Sequence, residues 1–400
     1  MDLMKYRHVS ADSHVNEPPD LWETRLPERL RDRGPRCIDL ANGGQGFVME
    51  DLEEPIPLGP TAVVYRAQSR YDRANYRQRF MEMRDGANKG LRYEDILPGS
   101  FDPAARVKEQ QEDKVDAEVL YTSPPLWAGI KQMHDTELRL ACFKAYNEWI
   151  AEFNAYDPAR LVGVGSVPTT GVDDAVAEFE RCVGQLQLRT VALESYPSGV
   201  PDRPEPEDDR FWAKAEELGI PIAEHAGFTL SPNAGVMATR GAGATPAASK
   251  TRPVDMAVGS FQTVLGKLIL DGVFDRFPQL IFVGVEVNIG WIPYYLEQFD
   301  ARFRRHYKEL PVKLEMLPSE YFRRNVRTTF ITDPVGVDCR YLIGIDNIMW
   351  SSDFPHSVSS WPIDVELGLA QLDQASVPDG ECERIMWRTC ADLYGLSYEH

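Results

Sequence analysis

RHVSADSHV, residues 7–15, decides how the rest of the chain is read. It is a short β-branched run ending in Asp12-Ser13-His14. Residues i and i+2 of a strand share a face, so the Asp12 and His14 side chains point the same way. Barrels of alternating strands and helices carry their chemistry at the C-terminal ends of the strands. A strand that ends in two ligand-type side chains therefore reads as the first strand of such a barrel.

Seven more runs of the same kind follow. They are DAEVLYTS (116–123), RLVGVGSVP (160–168), RTVALESYP (189–197), IPIAEHAG (220–227), LIFVGVEV (280–287), VRTTFITD (326–333) and NIMWSSDF (347–354). Near-continuous Val/Ile/Leu content suits strands buried on both faces of a parallel sheet. Helical patterns lie between them. Residues 138–153 place Leu138, Cys142, Phe143, Tyr146, Trp149, Ile150 and Phe153 on one face, and 173–186 and 209–219 read similarly, the last with Gly219 as a stop. Eight strands alternating with helices predict an α/β closed (β/α)8 barrel, read as one domain over residues 1–400.

Three segments interrupt the alternation. Residues 16–110 form a long insertion after strand 1, with a hairpin expected at 37–50 around a Gly-Gly turn. Residues 229–252, after strand 5, are rich in Gly, Ala, Ser, Thr and Pro and read as a mobile loop over the barrel mouth. Residues 299–325 are charged and helical, an outer helix pair or an interface; with 16–110 they are expected as surfaces of a homodimer.

Composition narrows the partners. The 400 residues carry a net charge of −19, which opposes binding to nucleic acid or anionic membranes. Six cysteines form no CxxC pair and read as reduced thiols, and no apolar run reaches membrane-spanning length. The expectation is a cytoplasmic protein with no membrane and no nucleic-acid partner.

The other strand ends also carry ligand-type residues: Glu194 on strand 4, His225 on strand 5, Glu286 on strand 6, and Asp353 with His356 on strand 8. Glu17 lies just past strand 1. Singly, each has an ordinary structural role open to it: a buried ion pair, a loop cap, a surface turn. Together they converge, since three of only seven histidines fall at strand ends on one face, each with carboxylates beside it. Burying so many charges is costly unless a cation neutralises them, so a metal site is expected.

The same residues carry a family resemblance. VSADSHVNEPPDLWETRLPERLRDRGPR (9–36), GVFDRFPQLIFVGVEVNIGWIPYYLEQFD (272–300) and IMWSSDFPHSVSSWP (348–362) resemble the aminocarboxymuconate-semialdehyde-decarboxylase-like branch of the amidohydrolase superfamily. The resemblance implies a distorted TIM barrel with Asp12, His14, His225 and Asp353 as metal ligands. Ordinary members bind zinc or manganese and hydrolyse or decarboxylate small acids. The chain departs at strand 6, where such members place a catalytic His followed by Gly-Gly and this chain has Glu286-Val287-Asn288. In that Glu and in His356 it resembles a nonheme diiron monooxygenase subgroup.

The leading expectation is therefore a dinuclear iron, or iron/manganese, monooxygenase that uses dioxygen to hydroxylate an unactivated C–H of an organic acid or terpenoid-type substrate. Its metal ligands are Asp12, His14, Glu17, Glu194, His225, Glu286, Asp353 and His356, with Glu286, His356 and Asp353 catalytic. Trp127, Phe228 and Trp361 would wall an apolar pocket. The alternative is a hydrolase or non-oxidative decarboxylase with a single zinc or manganese, and the third reading is a non-catalytic barrel subunit.

Overall fold

The computed structural model describes residues 6–58, 90–193, 195–200, 203–225, 256–309, 312–356 and 358–397. Strand β1 (Val9–His14) is followed by an antiparallel sheet of β2 (Arg36–Asp39), β3 (Gln45–Val48) and β4 (Ile56–Pro57). The parallel strands then resume with β5 (Ala117–Tyr121), β6 (Leu161–Gly163), β7 (Gly165–Val167), β8 (Val191–Leu193) and β9 (Ile222–His225). β10 (Phe282–Val285), β11 (Val326–Phe330) and β12 (Ile348–Trp350) complete the series.

Parallel ladders join the strands in the orders β1-β5-β6 and β7-β8-β9-β10-β11-β12. β6 and β7 are one run broken at Val164, whose N–H donates to the Leu120 carbonyl at 3.0 Å. All eight strands read from the sequence are present, the third in these two pieces. The result is the α/β arrangement of a distorted (β/α)8 barrel. Its remaining seam, between β1 and β12, shows no ladder among the described residues. Two backbone hydrogen bonds join it at the rim instead, from Asp353 N–H to Asp12 O (2.9 Å) and from His14 N–H to Phe354 O (2.7 Å). Below them the Ser10, Ser13 and Ser352 hydroxyls meet at 2.9–3.1 Å.

Burial explains the strands. β1 and β5 are buried at every position, as strands covered on both faces must be. The helix Thr136–Ala155 starts where the Asp135 carboxylate accepts the Glu137 and Leu138 N–H groups, and it buries the apolar face read from the sequence. The helix Asp209–Leu218 ends at Gly219, whose φ of 63° closes it. Gly284 on β10 has no side chain for a packing reason: a Cβ there would lie 2.4–2.8 Å from the Phe261 ring.

The expected hairpin is β2–β3, turning through 40–44. Phe47 on β3 packs on Trp22 and Tyr93 at ring distances of 6.0 and 6.5 Å. The helix Pro103–Asp113 crosses the insertion boundary expected at residue 110. The outer helices of 299–325 are Ile292–His306 and Pro318–Asn325, which pack together. The loop expected at 229–252 lies outside the described residues. Among the described residues, no helix is long and apolar enough to cross a membrane.

Candidate metal centre

The ends of β1, β9 and β12 bring four of the anticipated side chains together. Asp12, His14 and His225 are fully buried and Asp353 nearly so. His14 is the hub. Its Nε2 lies 3.0 Å from Asp353 Oδ1, 3.5 Å from Asp12 Oδ1 and 3.1 Å from His225 Nε2. His225 Nε2 is in turn 3.4 Å from Asp12 Oδ1. His356 sits on the outer side, its ring stacked on His14 at 3.8 Å and its Nδ1 3.1 Å from Asp353 Oδ1. Two ligand-type groups of three result, Asp12–His14–His225 and His14–Asp353–His356.

The hydrogen-bond pattern fixes what these atoms can do. His14 Nδ1 lies 2.9 Å from the Thr122 carbonyl, which can only accept, so Nδ1 carries the proton and Nε2 presents its lone pair. Burial, with the neighbouring His356 ring, lowers the His14 pKa to about 4, so this imidazole is neutral. Both oxygens of Asp12 and Oδ2 of Asp353 lack a hydrogen-bond partner, while Asp353 Oδ1 meets only the His14 and His356 rings. Buried carboxylates left in that state are costly, and a cation among them removes the cost. The donor set, two imidazoles and two carboxylates, suits zinc or manganese. Both groups of three share the one free His14 nitrogen, and a single lone pair serves a single ion.

Electrostatics set the two outer groups apart. Burial pushes the Asp353 carboxyl up, but the adjacent His356 and His14 pull it further the other way, below the usual carboxylate range. Burial lowers the His356 pKa while Asp353 raises it, and the net shift is upward. Glu286 stands 3.9 Å from His225 Nδ1, with its side chain 34% exposed at the mouth. Protein still surrounds it closely enough that burial, followed by Asp353 and Asp12, raises its pKa well above the usual value. Glu286 and Asp353 both take the left-handed backbone, at φ 57° and 55°. Such residues cost of order 1–3 kcal/mol each and collect at functional sites.

Among the described residues, Glu286 and Glu17 are the anticipated ligands in neither group. Glu17 is buried but turned to the β5 side, where its Oε1 accepts from the Thr122 hydroxyl, the Ser123 N–H (3.2 Å) and Trp127 Nε1–H (3.1 Å). Glu194 lies outside the described residues, as does Phe228. Trp127 therefore serves Glu17, and Trp361 packs on Phe354 at 5.8 Å.

Sequence reasoning missed two supports and one buried neighbour of the site. Thr122 orients His14 through its carbonyl. Arg106, fully buried on the helix Pro103–Asp113, pairs with Glu118 (2.6 and 3.1 Å) and donates to His14 O (2.8 Å) and Phe354 O (3.4 Å). It thus holds both sides of the β1–β12 seam. Glu224, beside His225, is fully buried with neither carboxyl oxygen hydrogen-bonded, and burial raises its pKa to about 8. Only Glu224 carried a signal, as a charge inside an apolar strand run.

The amidohydrolase family model matches residues 68–396. Gamma-resorcylate decarboxylase of Polaromonas sp. (strain JS666) is 22% identical over 305 residues, 73% of this chain and 87% of that protein. 2-Amino-3-carboxymuconate-6-semialdehyde decarboxylase of Dictyostelium discoideum is 28% identical over 136 residues, a match spanning 34% of this chain and only 37% of that protein. Among solved structures, an amidohydrolase of Mycobacterium avium subsp. paratuberculosis K-10 superposes with a TM-score of 0.73 at 20% identity, over 98% of this chain and 100% of that one. A dihydroxybenzoic acid decarboxylase of Polaromonas sp. JS666, solved with bound manganese and the inhibitor 2-nitroresorcinol, gives 0.61 at 16% identity, over 98% and 97%.

These relatives overturn the expected monooxygenase. Three of the four carry decarboxylase names, so oxidoreductase chemistry and dioxygen give way to the alternative reading. The two-ion expectation rests on Glu286 and His356 as ligands of the second ion, and among the described residues His356 does form a ligand-type group with His14 and Asp353. In the structure His356 serves Asp353, and Glu286 stands at the mouth beyond His225.

Proposed function

Since the chain belongs to the amidohydrolase family, we propose that its metal centre carries out the non-oxidative decarboxylation of a small carboxylic acid. The observation that supports this most is the convergence of Asp12, His14, His225 and Asp353 around one imidazole nitrogen, with three carboxylate oxygens unpaired. These four residues would hold one divalent ion, manganese or zinc. When bound, such an ion supplies Lewis-acid polarisation and orients an anionic substrate.

The chain's own groups do the rest. Loss of carbon dioxide breaks a C–C bond and leaves its electron pair on carbon, which must then take up a proton. His356 is the donor placed for this. Its Nδ1 is held by Asp353, its ring is held flat against His14, and its Nε2 has no protein partner. Glu286 lines the approach, where its partial exposure leaves it in reach of a substrate.

The test is carbon dioxide release from a panel of carboxylic acids by the manganese-loaded chain under anaerobic conditions. Turnover without dioxygen, abolished in His14→Ala, is the expected result. Turnover that requires dioxygen contradicts the proposal.

A further inference from the structure

Strand geometry alone would send Glu286 away from the metal centre. Side chains alternate across a strand. Gly284 faces outwards, since a Cβ there would meet the Phe261 ring of the helix Met256–Leu270. Val285 is therefore turned inwards beside its ladder partner His225, and an extended Glu286 would follow Gly284 into the helix layer. Instead its carboxyl lies 3.9 Å from His225 Nδ1 at the mouth. The left-handed backbone at Glu286, φ 57°, makes the difference, and Asn288 repeats it at 54°. Asn tolerates that region, whereas a Glu seldom enters it. Such a conformation persists only where its surroundings over-determine it.

We propose that Asp333 is a positioning residue which, with Thr329, locks the 286–290 loop in this turned form and so aims Glu286 at the substrate. The inference rests on the decarboxylase reading and adds to it the group that sets the Glu286 contact. β11 and the turn after it supply both residues. Thr329 is fully buried, and its Oγ1 accepts the Glu286 N–H at 2.8 Å, where the ladder would otherwise continue. One oxygen of Asp333 accepts the Ile289 and Gly290 N–H groups at 2.7 and 2.6 Å, and the other accepts the Gly336 N–H at 2.9 Å. Hydrogen bonds to an ionised carboxylate are short and among the stronger ones. Asp333 is itself held. Its N–H donates to Gln371 Oε1 at 3.0 Å, and the Gln371 amide donates to Ile331 O at 2.8 Å.

The rest of the loop is pinned as well. Val287 and Ile289 are fully buried, and Trp291 Nε1–H donates to the Val287 carbonyl at 2.9 Å. Small residues let the two loops meet. A Cβ on Gly290 would lie 2.8 Å from Asp333 Oδ1, and one on Gly336 would lie 2.2 Å from Ile289 Cγ1. A change at Asp333 or Gly336 therefore reaches Glu286 through the backbone, with no hydrogen bond to a metal ligand in between. Asp333 also caps the short helix Pro334–Asp338 through Gly336. The experiment separates that structural role from the aiming of Glu286.

Steady-state decarboxylation is measured on the manganese-loaded chain, with the acid it turns over fastest, for Asp333→Asn, Gly336→Ala, Glu286→Gln and Asp333→Asn/Glu286→Gln. Asn keeps the shape of Asp, but its amide nitrogen cannot accept, so one side of the clamp opens. Gly336→Ala pushes on Ile289 while leaving the Asp333 carboxylate in place. Each single variant should lower kcat/KM by about 10–100-fold with manganese content unchanged, and Asp333→Asn should divide its loss between kcat and KM as Glu286→Gln does. The double variant should lie within about threefold of Glu286→Gln, because a mis-aimed carboxylate and a missing one are the same loss. Independently of turnover, the Ile289 and Gly290 amides should exchange with deuterium faster in Asp333→Asn than in the parent. Losses that multiply in the double variant would leave Asp333 a helix cap only and overturn the proposal. Parent-like kinetics in Glu286→Gln, or unchanged exchange in Asp333→Asn, also overturn it. A parent chain that turns over no acid overturns the decarboxylase reading and the substrate contact with it, a result distinct from all of these.

Discussion

Replacing Arg106 by Met would remove the brace that joins the two sides of the β1–β12 seam. The guanidinium is fully buried, forks onto Glu118 at 2.6 and 3.1 Å, donates to His14 O at 2.8 Å and lies 4.6 Å from the Phe354 ring centre. Without it Glu118, 2% exposed, keeps only the Gln110 amide at 2.8 Å. Breaking a buried pair costs about 3–5 kcal/mol, and the orphaned His14 carbonyl adds about 1 kcal/mol, so the total is about 4–6 kcal/mol. That is a large part of the roughly 5–15 kcal/mol by which folded domains are stable. Urea unfolding of the metal-free chain measures it. Arg106→Met/Glu118→Leu, which removes both charges, should recover more than half of the loss. A cost below about 1 kcal/mol for Arg106→Met would refute the seam argument, because it would mean the buried Glu118 needs no partner.

Other outcomes follow from single sites. His14→Ala and His225→Ala should keep the circular dichroism of the parent but lose metal affinity by more than the roughly 10–100-fold typical of an outer-sphere change, read by metal analysis after dialysis. Gly284→Ala should cost about 1–3 kcal/mol in urea unfolding, since its methyl meets the Phe261 ring on a packed strand. Burial raises the Glu109 carboxyl from 4.5 to about 7, so the folded chain holds a proton that the unfolded chain releases earlier. Its stability contribution is full below pH 4.5 and falls as pH rises to about 7, by about 3.5 kcal/mol at ~1.4 kcal/mol per unit. Glu109→Gln should flatten that part of the pH–stability curve, and an unchanged slope would count against the burial argument.

What the sequence revealed, and what it hid, has a physical pattern. The eight parallel strands were legible because burial on both faces writes itself as apolar runs. Asp12, His14, His225 and Asp353 were legible because they end those runs, where a barrel must bring them together. Glu17 looked like a further ligand, and only the three-dimensional path past β1 shows it turned towards Thr122 and Trp127. Arg106 was hidden by its setting. PAARVKEQQED reads as a solvated helix, yet Arg106, Glu109, Gln110 and Asp113 are all buried. Polar groups that satisfy one another inside leave no hydrophobic periodicity to find. Glu286 shows the opposite limit, since a carboxylate at a strand end states its chemistry but not its partner.

The most direct test of the single-ion decarboxylase centre is the number of metal ions bound per chain at saturation with manganese. One ion per chain is expected, lost on replacing His14, because both groups of ligands share the one free His14 nitrogen. Two ions per chain, or none, would contradict it.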